Sequence, residues 1–133
     1  MPSPTVHFRI DFNEDSNVGP GKIQLLEAIS VSGSLSQAAR DIGMSYRRAW
    51  LLIKSVNASF REPCTVASRG GKGGGGVQIT PFGATLIKSY RALEEEIAEA
   101  SARHLRAVTV NVSGNRPTKR AVSRRPLTRR SAR

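Results

Sequence analysis

Residues 34–60 read S-L-S-Q-A-A-R-D-I-G-M-S-Y-R-R-A-W-L-L-I-K-S-V-N-A-S-F, and their spacing predicts two short helices joined by one tight turn. Ser34 is placed to cap a first helix carrying Leu35, Ala38, Ala39 and Ile42, and Gly43 supplies the left-handed residue that ends such a helix. Ser45 then caps a second helix in which Ala49, Ile53, Val56 and Phe60 recur at helical spacing and form one apolar stripe. At about 100° per residue, Arg47, Leu51 and Lys54 fall opposite that stripe, with Tyr46, Arg48, Trp50 and Leu52 on its flanks. The stripe must pack on something, and the small side chains of Ala38 and Ala39 let the two helices cross closely. The face left over is basic. A helix that buries one side and offers Arg and Lys near its start suits the DNA major groove, where Arg reads guanine edges and small apolar groups meet thymine methyls. The same residues would also suit an ordinary helical hairpin, so the flanking segments decide between the two.

With 133 residues and 38% hydrophobic content, the chain holds enough apolar material for one domain of about 100 residues with a tail. One cysteine, Cys64, rules out an intrachain disulfide and a cysteine-cluster zinc site. No apolar run approaches the roughly 18 residues needed to span a bilayer, and M-P-S-P-T-V-H has neither the basic nor the apolar region of a signal peptide. No membrane partner and a cytoplasmic location are therefore expected. The net charge of +11 is uneven: residues 106–133 hold nine of the 21 Lys and Arg and no Asp or Glu, which leaves residues 1–105 close to neutral. Such a chain seeks a polyanion, but most of its basicity belongs to the tail.

Working outward, Val6, Phe8, Ile10 and Phe12 alternate with His7, Arg9 and Asp11, the period of a half-buried strand from Thr5 to Phe12. Residues 13–19 read as a polar loop. A helix from Pro20 to Val31 is expected next, with Ile23, Leu26 and either Ile29 or Ala28 inside and Lys22, Gln24 and Glu27 outside. After Phe60, Pro63 forbids a continuing helix; Thr65, Val66 and Ala67 read as a strand, and Val77, Gln78 and Ile79 as its return. Between them, R-G-G-K-G-G-G-G over residues 69–76 has six glycines that cannot pack a core and two cations, Arg69 and Lys72. It lacks the order of a nucleotide phosphate loop, because Gly73 follows Lys72 where Ser or Thr is required. As the wing of a winged helix, it would bring bare amides and cations to DNA.

Thr80 and Pro81 then open a long helix to about Leu105 in which Leu86, Tyr90, Leu93, Ile97, Ala100 and His104 step like a coiled-coil seam. That spacing fits a helix with one end packed on the domain and the other paired with a second copy through the seam of Leu86, Tyr90, Leu93 and Ile97, and it fits equally a helix lying along its own core; a homodimer suits two half-sites about one helical turn apart. Residues 107–112, A-V-T-V-N-V, read as a strand, and the Pro-, Arg-, Ser- and Thr-rich remainder has no hydrophobic means of folding. The fold class is thus mainly α (α+β): a winged helix-turn-helix over residues 1–105, a Gly-rich β-hairpin wing, a long C-terminal dimerisation helix over about 81–105, and an Arg-rich tail over 106–133.

The segments G-S-L-S-Q-A-A, I-G-M-S-Y-R-R-A-W and R-G-G-K-G-G-G-G-V-Q-I-T-P-F-G resemble signatures of the N-terminal DNA-binding domain of ModE-type molybdate-responsive regulators, which are themselves similar to LysR-type regulators. The resemblance covers about Val6 to Leu105 and implies contacts to double-stranded DNA by Ser36, Gln37, Ser45, Tyr46, Arg47, Arg48, Trp50, Lys54, Arg69, Lys72 and Gly73. Trp50 suits packing against the wing as well as it suits DNA. The resemblance further implies a bacterial, nucleoid-associated regulator of molybdenum transport or molybdoenzyme genes, with a palindromic operator. No cofactor or metal is implied. No molybdate binding by this chain alone is expected, because the only anion-binding candidates are the glycine loop and the tail. An alternative is a non-specific, nucleoid-like nucleic-acid binder driven by the basic tail. An enzyme fares badly: His7, His104 and Cys64 fall on a strand, a seam and a turn with no orienting motif between them.

Overall fold

Each helix of the central trio begins where a side chain or a fixed φ makes beginning cheap. In the computed structural model, which describes residues 3–68 and 76–114, Pro20 opens α1 (Pro20–Ser32), the Ser34 hydroxyl accepts from the Gln37 amide to cap α2 (Leu35–Asp41), and the Ser45 hydroxyl accepts from the Arg48 amide to cap α3 (Tyr46–Ser59). Gly43 lies between α2 and α3 with φ 70°, the left-handed conformation a side chain would strain. Before them come β1 (Ile10–Asp11) and β2 (Asn17–Val18); after them β3 (Thr65–Ser68), β4 (Gly76–Ile79), α4 (Pro81–His104) and the short α5 (Arg106–Thr109). The strands form two separate antiparallel hairpins, β1 with β2 and β3 with β4, the second in the register Thr65 opposite Ile79 to Ser68 opposite Gly76. Five helices and two small hairpins among the described residues are compatible with a winged helix-turn-helix.

The core lies on both sides of α1. On one side Ile23 and Leu26 pack with Val18, Val56, Cys64, Leu86 and Tyr90; on the other Leu25 and Ile29 pack with Ala38, Ala39 and Ala49. The three alanines bring α2 and α3 close to α1. The chain before β1 is tied to α4, where the Tyr90 hydroxyl donates to the Phe8 carbonyl at 2.7 Å and the two rings stack at 4.5 Å. Arg91 joins α4 to α1 through a two-pronged bond to Glu27 at 2.6 and 2.8 Å and reaches Glu94 at 2.7 Å.

Four expectations are corrected. Lys22 is not on a solvated face: it is 8% exposed, because α1 is covered on more than one side, and its ammonium donates to the Asn17 carbonyl and the Ser55 hydroxyl at 2.8 and 2.9 Å. Burial pushes its pKa down, and the charge of Arg9 pushes in the same direction. The first strand is only Ile10–Asp11, with Phe12 51% exposed and leaning edge-on against Phe60. The polar loop contains β2, which pairs Val18 with Ile10. Finally, residues 107–112 are not a strand: Arg106–Thr109 is a helical turn, and Val108, Val110 and Val112 are exposed. A strand needs a neighbour to satisfy its backbone, whereas a helical turn satisfies its own.

Candidate nucleic-acid interface

The second helix of the pair is held so that one face cannot be buried. Ala49 and Val56 point into the two halves of the core, Ile53 is half-buried against both, and this leaves Tyr46, Arg47, Arg48, Trp50, Leu51 and Lys54 exposed. Among the described residues none of Arg47, Arg48 and Lys54 is in an ion pair. The ammonium of Lys54 stands 4.8 Å from the centre of the Trp50 ring. Trp50 is 44% exposed, so it is not a core residue. Arg47 and Arg48 lie in the first turn of α3, where unpaired backbone amides and the helix dipole favour an anion. Ser45 remains exposed while it caps, and its hydroxyl hydrogen is still free to donate.

The start of α2 lies beside this face. Ser36 is half-buried, with its hydroxyl 3.3 Å from that of Ser34. Gln37 is already engaged along its own helix, donating to Asp41 and accepting from Arg40, both at 2.7 Å. The side chains expected to read or grip DNA from residues 36–54 are therefore brought to adjoining surfaces. Arg69, Lys72 and Gly73 lie outside the described residues, as do residues 115–133; the expectations that rest on the loop and on most of the tail fall there.

The β3–β4 hairpin is fixed to α3 by a residue that sequence reasoning passed over. The Asn57 carbonyl accepts from the Cys64 and Thr65 amides at 2.7 and 3.1 Å, and its amide donates to the Thr65 hydroxyl at 2.9 Å. A second tie starts at Thr80, whose hydroxyl donates to the Pro63 carbonyl at 2.7 Å while accepting from the Gly83 amide to cap α4. Gly83 is required by packing: a Cβ there would collide with the Cys64 carbonyl oxygen. On the other strand, the Val77 amide donates to the Gly33 carbonyl at 3.0 Å, pinning β4 to the turn before α2. Between α3 and the hairpin runs an open groove of about 500 Å³, with Tyr46 and Trp50 on one wall and Thr65, Val66 and Val77 on the other.

Outside this surface the chemistry is quiet. Cys64 is fully buried, and burial pushes its thiol up to about 11, far from a reactive thiolate. Among the described residues no group of three or more His, Cys, Asp and Glu side chains could hold a metal ion. No helix among them is long and apolar enough to cross a membrane. The four residues of the expected seam divide: Leu86 and Tyr90 are spent in the chain's own core, while Leu93 is 39% exposed and Ile97 is half-buried.

The chain is 41% identical over 90 residues to the molybdenum transport protein ModE of Azotobacter vinelandii, 42% over 76 residues to the DNA-binding transcriptional dual regulator ModE of Escherichia coli (strain K12), and 40% over 84 residues to the molybdenum-pterin-binding protein MopB of Rhodobacter capsulatus. These stretches cover 65%, 57% and 63% of this chain and 33%, 29% and 31% of those proteins, respectively. The chain thus spans about a third of the length of the curated relatives it matches. No protein-family model matches it. The resemblance to ModE-type regulators, read from three short segments, therefore extends at about 40% identity over the N-terminal part of the chain.

Proposed function

We propose that this chain is a sequence-specific DNA-binding transcriptional regulator of molybdenum transport or molybdoenzyme genes, acting in the bacterial cytoplasm as a homodimer on a palindromic operator. The observation that carries the reading is the first turn of α3: Arg47 projects from the side opposite Ala49, which is locked against Ala38 and Ala39, and Arg48 is exposed on the flank beside it. A rigid helix with free guanidinium groups at its exposed start is what major-groove reading requires. Arg47 is assigned to base edges, with Arg48 and Lys54 assigned to phosphates. The β3–β4 hairpin serves as the wing, and α4 from Leu93 onward pairs the two copies. The names of two relatives, a transcriptional dual regulator and a molybdenum transport protein, support both the mode of action and the gene class.

Selection from a random duplex pool, followed by titration at fixed salt, tests the proposal. A regulator should prefer its selected site over random DNA by at least about 10³-fold. Arg47→Ala should cost about 1 to 3 kcal/mol on the selected site and much less on random duplex. A wild type with no preference and a steep salt slope would replace the proposal with non-specific binding through the basic tail.

A further inference from the structure

The groove between α3 and the β3–β4 hairpin is unusual for a protein surface. Tyr46, Trp50 and Val66 are 55%, 44% and 44% exposed around it, an apolar wall left open to water beside a basic helix face. Among the described residues that line it, none carries a charge, and Ser34, Ser36 and Thr65 contribute hydroxyls. Lys54 places an ammonium over the Trp50 ring, while Arg47 and Arg48 stand on the adjoining turn. Apolar wall, hydroxyls and neighbouring cations, with no carboxylate among them, match a strand in which uncharged deoxyribose alternates with phosphate.

We infer that this groove is a saddle for one sugar–phosphate strand of duplex DNA, with Trp50 packing on deoxyribose and Ser36 and Lys54 meeting the flanking phosphates. This rests on the DNA-binding reading above and adds a contact that is blind to both base and salt. A base-reading side chain changes the preference for the selected site, and a phosphate-binding cation changes the salt dependence. An indole on a sugar changes neither, and only the affinity falls. Trp50 is the single tryptophan of the chain, so its fluorescence reports on this groove alone.

The experiment uses the full chain with two probes, a random-sequence duplex of about two helical turns and the site enriched by selection. Trp50→Ala should weaken both by about the same factor, near tenfold, with the slope of log affinity against log salt unchanged; Trp50→Phe should recover most of the loss. Acrylamide quenching of wild-type fluorescence should fall when either duplex saturates the protein, a measurement that does not depend on any variant folding. A loss confined to the selected site would make Trp50 a base reader, and a flattened slope would make its effect electrostatic; either overturns the saddle. So does quenching that DNA leaves unchanged. If the wild type binds neither duplex, the DNA-binding reading itself has failed, a result visible before any variant is compared.

Discussion

Asn57 offers the sharpest test of how the hairpin is held. Its carbonyl oxygen is the acceptor for two backbone amides, those of Cys64 and Thr65, and both residues are buried, at 0% and 5% exposure. Asn57→Ala removes that acceptor, so two amides lose their partner, while the open groove that Asn57 and Thr65 line lets water relieve part of the loss. At about 1 to 3 kcal/mol for each unsatisfied buried group, partly relieved by local relaxation, the loss should come to about 2 to 4 kcal/mol. Asn57→Asp is the control. It keeps both acceptor sites and loses only the amide that donates to the Thr65 hydroxyl; that hydroxyl can turn and donate instead, so the cost should be about 1 kcal/mol or less. Urea unfolding reads both variants, and the midpoint should shift with little change in slope. A domain of ordinary stability survives the larger loss, so DNA affinity can be measured with Asn57→Ala still folded, and it should fall because the hairpin root is no longer held to α3. Equal costs for the Ala and Asp variants, or an Ala cost below about 0.5 kcal/mol, would refute the proposed tie.

Three further expectations follow from other residues. Leu93→Asp places a charge on the uncovered half of the α4 seam and should yield a folded monomer by light scattering; a wild type already monomeric at micromolar concentration would remove the seam and the palindrome with it. Cys64 should react with a disulfide reagent at about pH 8 only as the chain unfolds, since burial suppresses both access and thiolate; rapid labelling of the native protein would contradict that burial. Glu27 is held below the ordinary carboxylate value of 4.5 by the hydrogen bonds from Arg91. Its folded pKa therefore lies below its unfolded one, so its contribution is present above about pH 4.5 and is lost as the pH falls through the lower folded value. Glu27→Gln should abolish that acid-side loss in pH-dependent unfolding, at a cost under about 1 kcal/mol near neutrality because both partners are more than a third exposed.

What could be read from the residues alone was what depends on near neighbours in the chain. Ser34, Ser45 and Thr80 cap helices because a short hydroxyl reaches an amide two or three residues on, and Pro81 and Gly43 act through their own φ. The stripe on α3 was equally readable, and so was the free face opposite it. Lys22 was not, because a lysine beside an apolar stripe looks solvated until the number of elements packed on its helix is known. Its two acceptors come from β2 and α3, five and 33 residues away. Asn57 hid for the same reason: a polar residue on the flank of a helix carries no sign that strand amides will arrive at it. The valines of residues 107–112 misled differently, since their alternation fits a strand but supplies no partner for one.

The α4 seam shows the limit of periodicity most clearly. Residues stepping by four and three share a face whatever covers that face, so Leu86, Tyr90, Leu93 and Ile97 make one pattern. In the folded chain that pattern has two environments. Leu86 and Tyr90 meet Val18, Ile23 and Leu26 of their own core, and Tyr90 also holds the Phe8 carbonyl. One residue further on, Arg91 makes the ion pair to Glu27 that ties α4 to α1. Leu93 and Ile97 lie beyond that tie and are less completely covered. The first half of the helix is thus spent in the chain's own core, and only in the second half are seam residues left less than buried. A dimer built on that half would pair through fewer apolar side chains than the full repeat suggests, which makes Leu93, rather than Leu86 or Tyr90, the residue whose charge substitution separates assembly from folding.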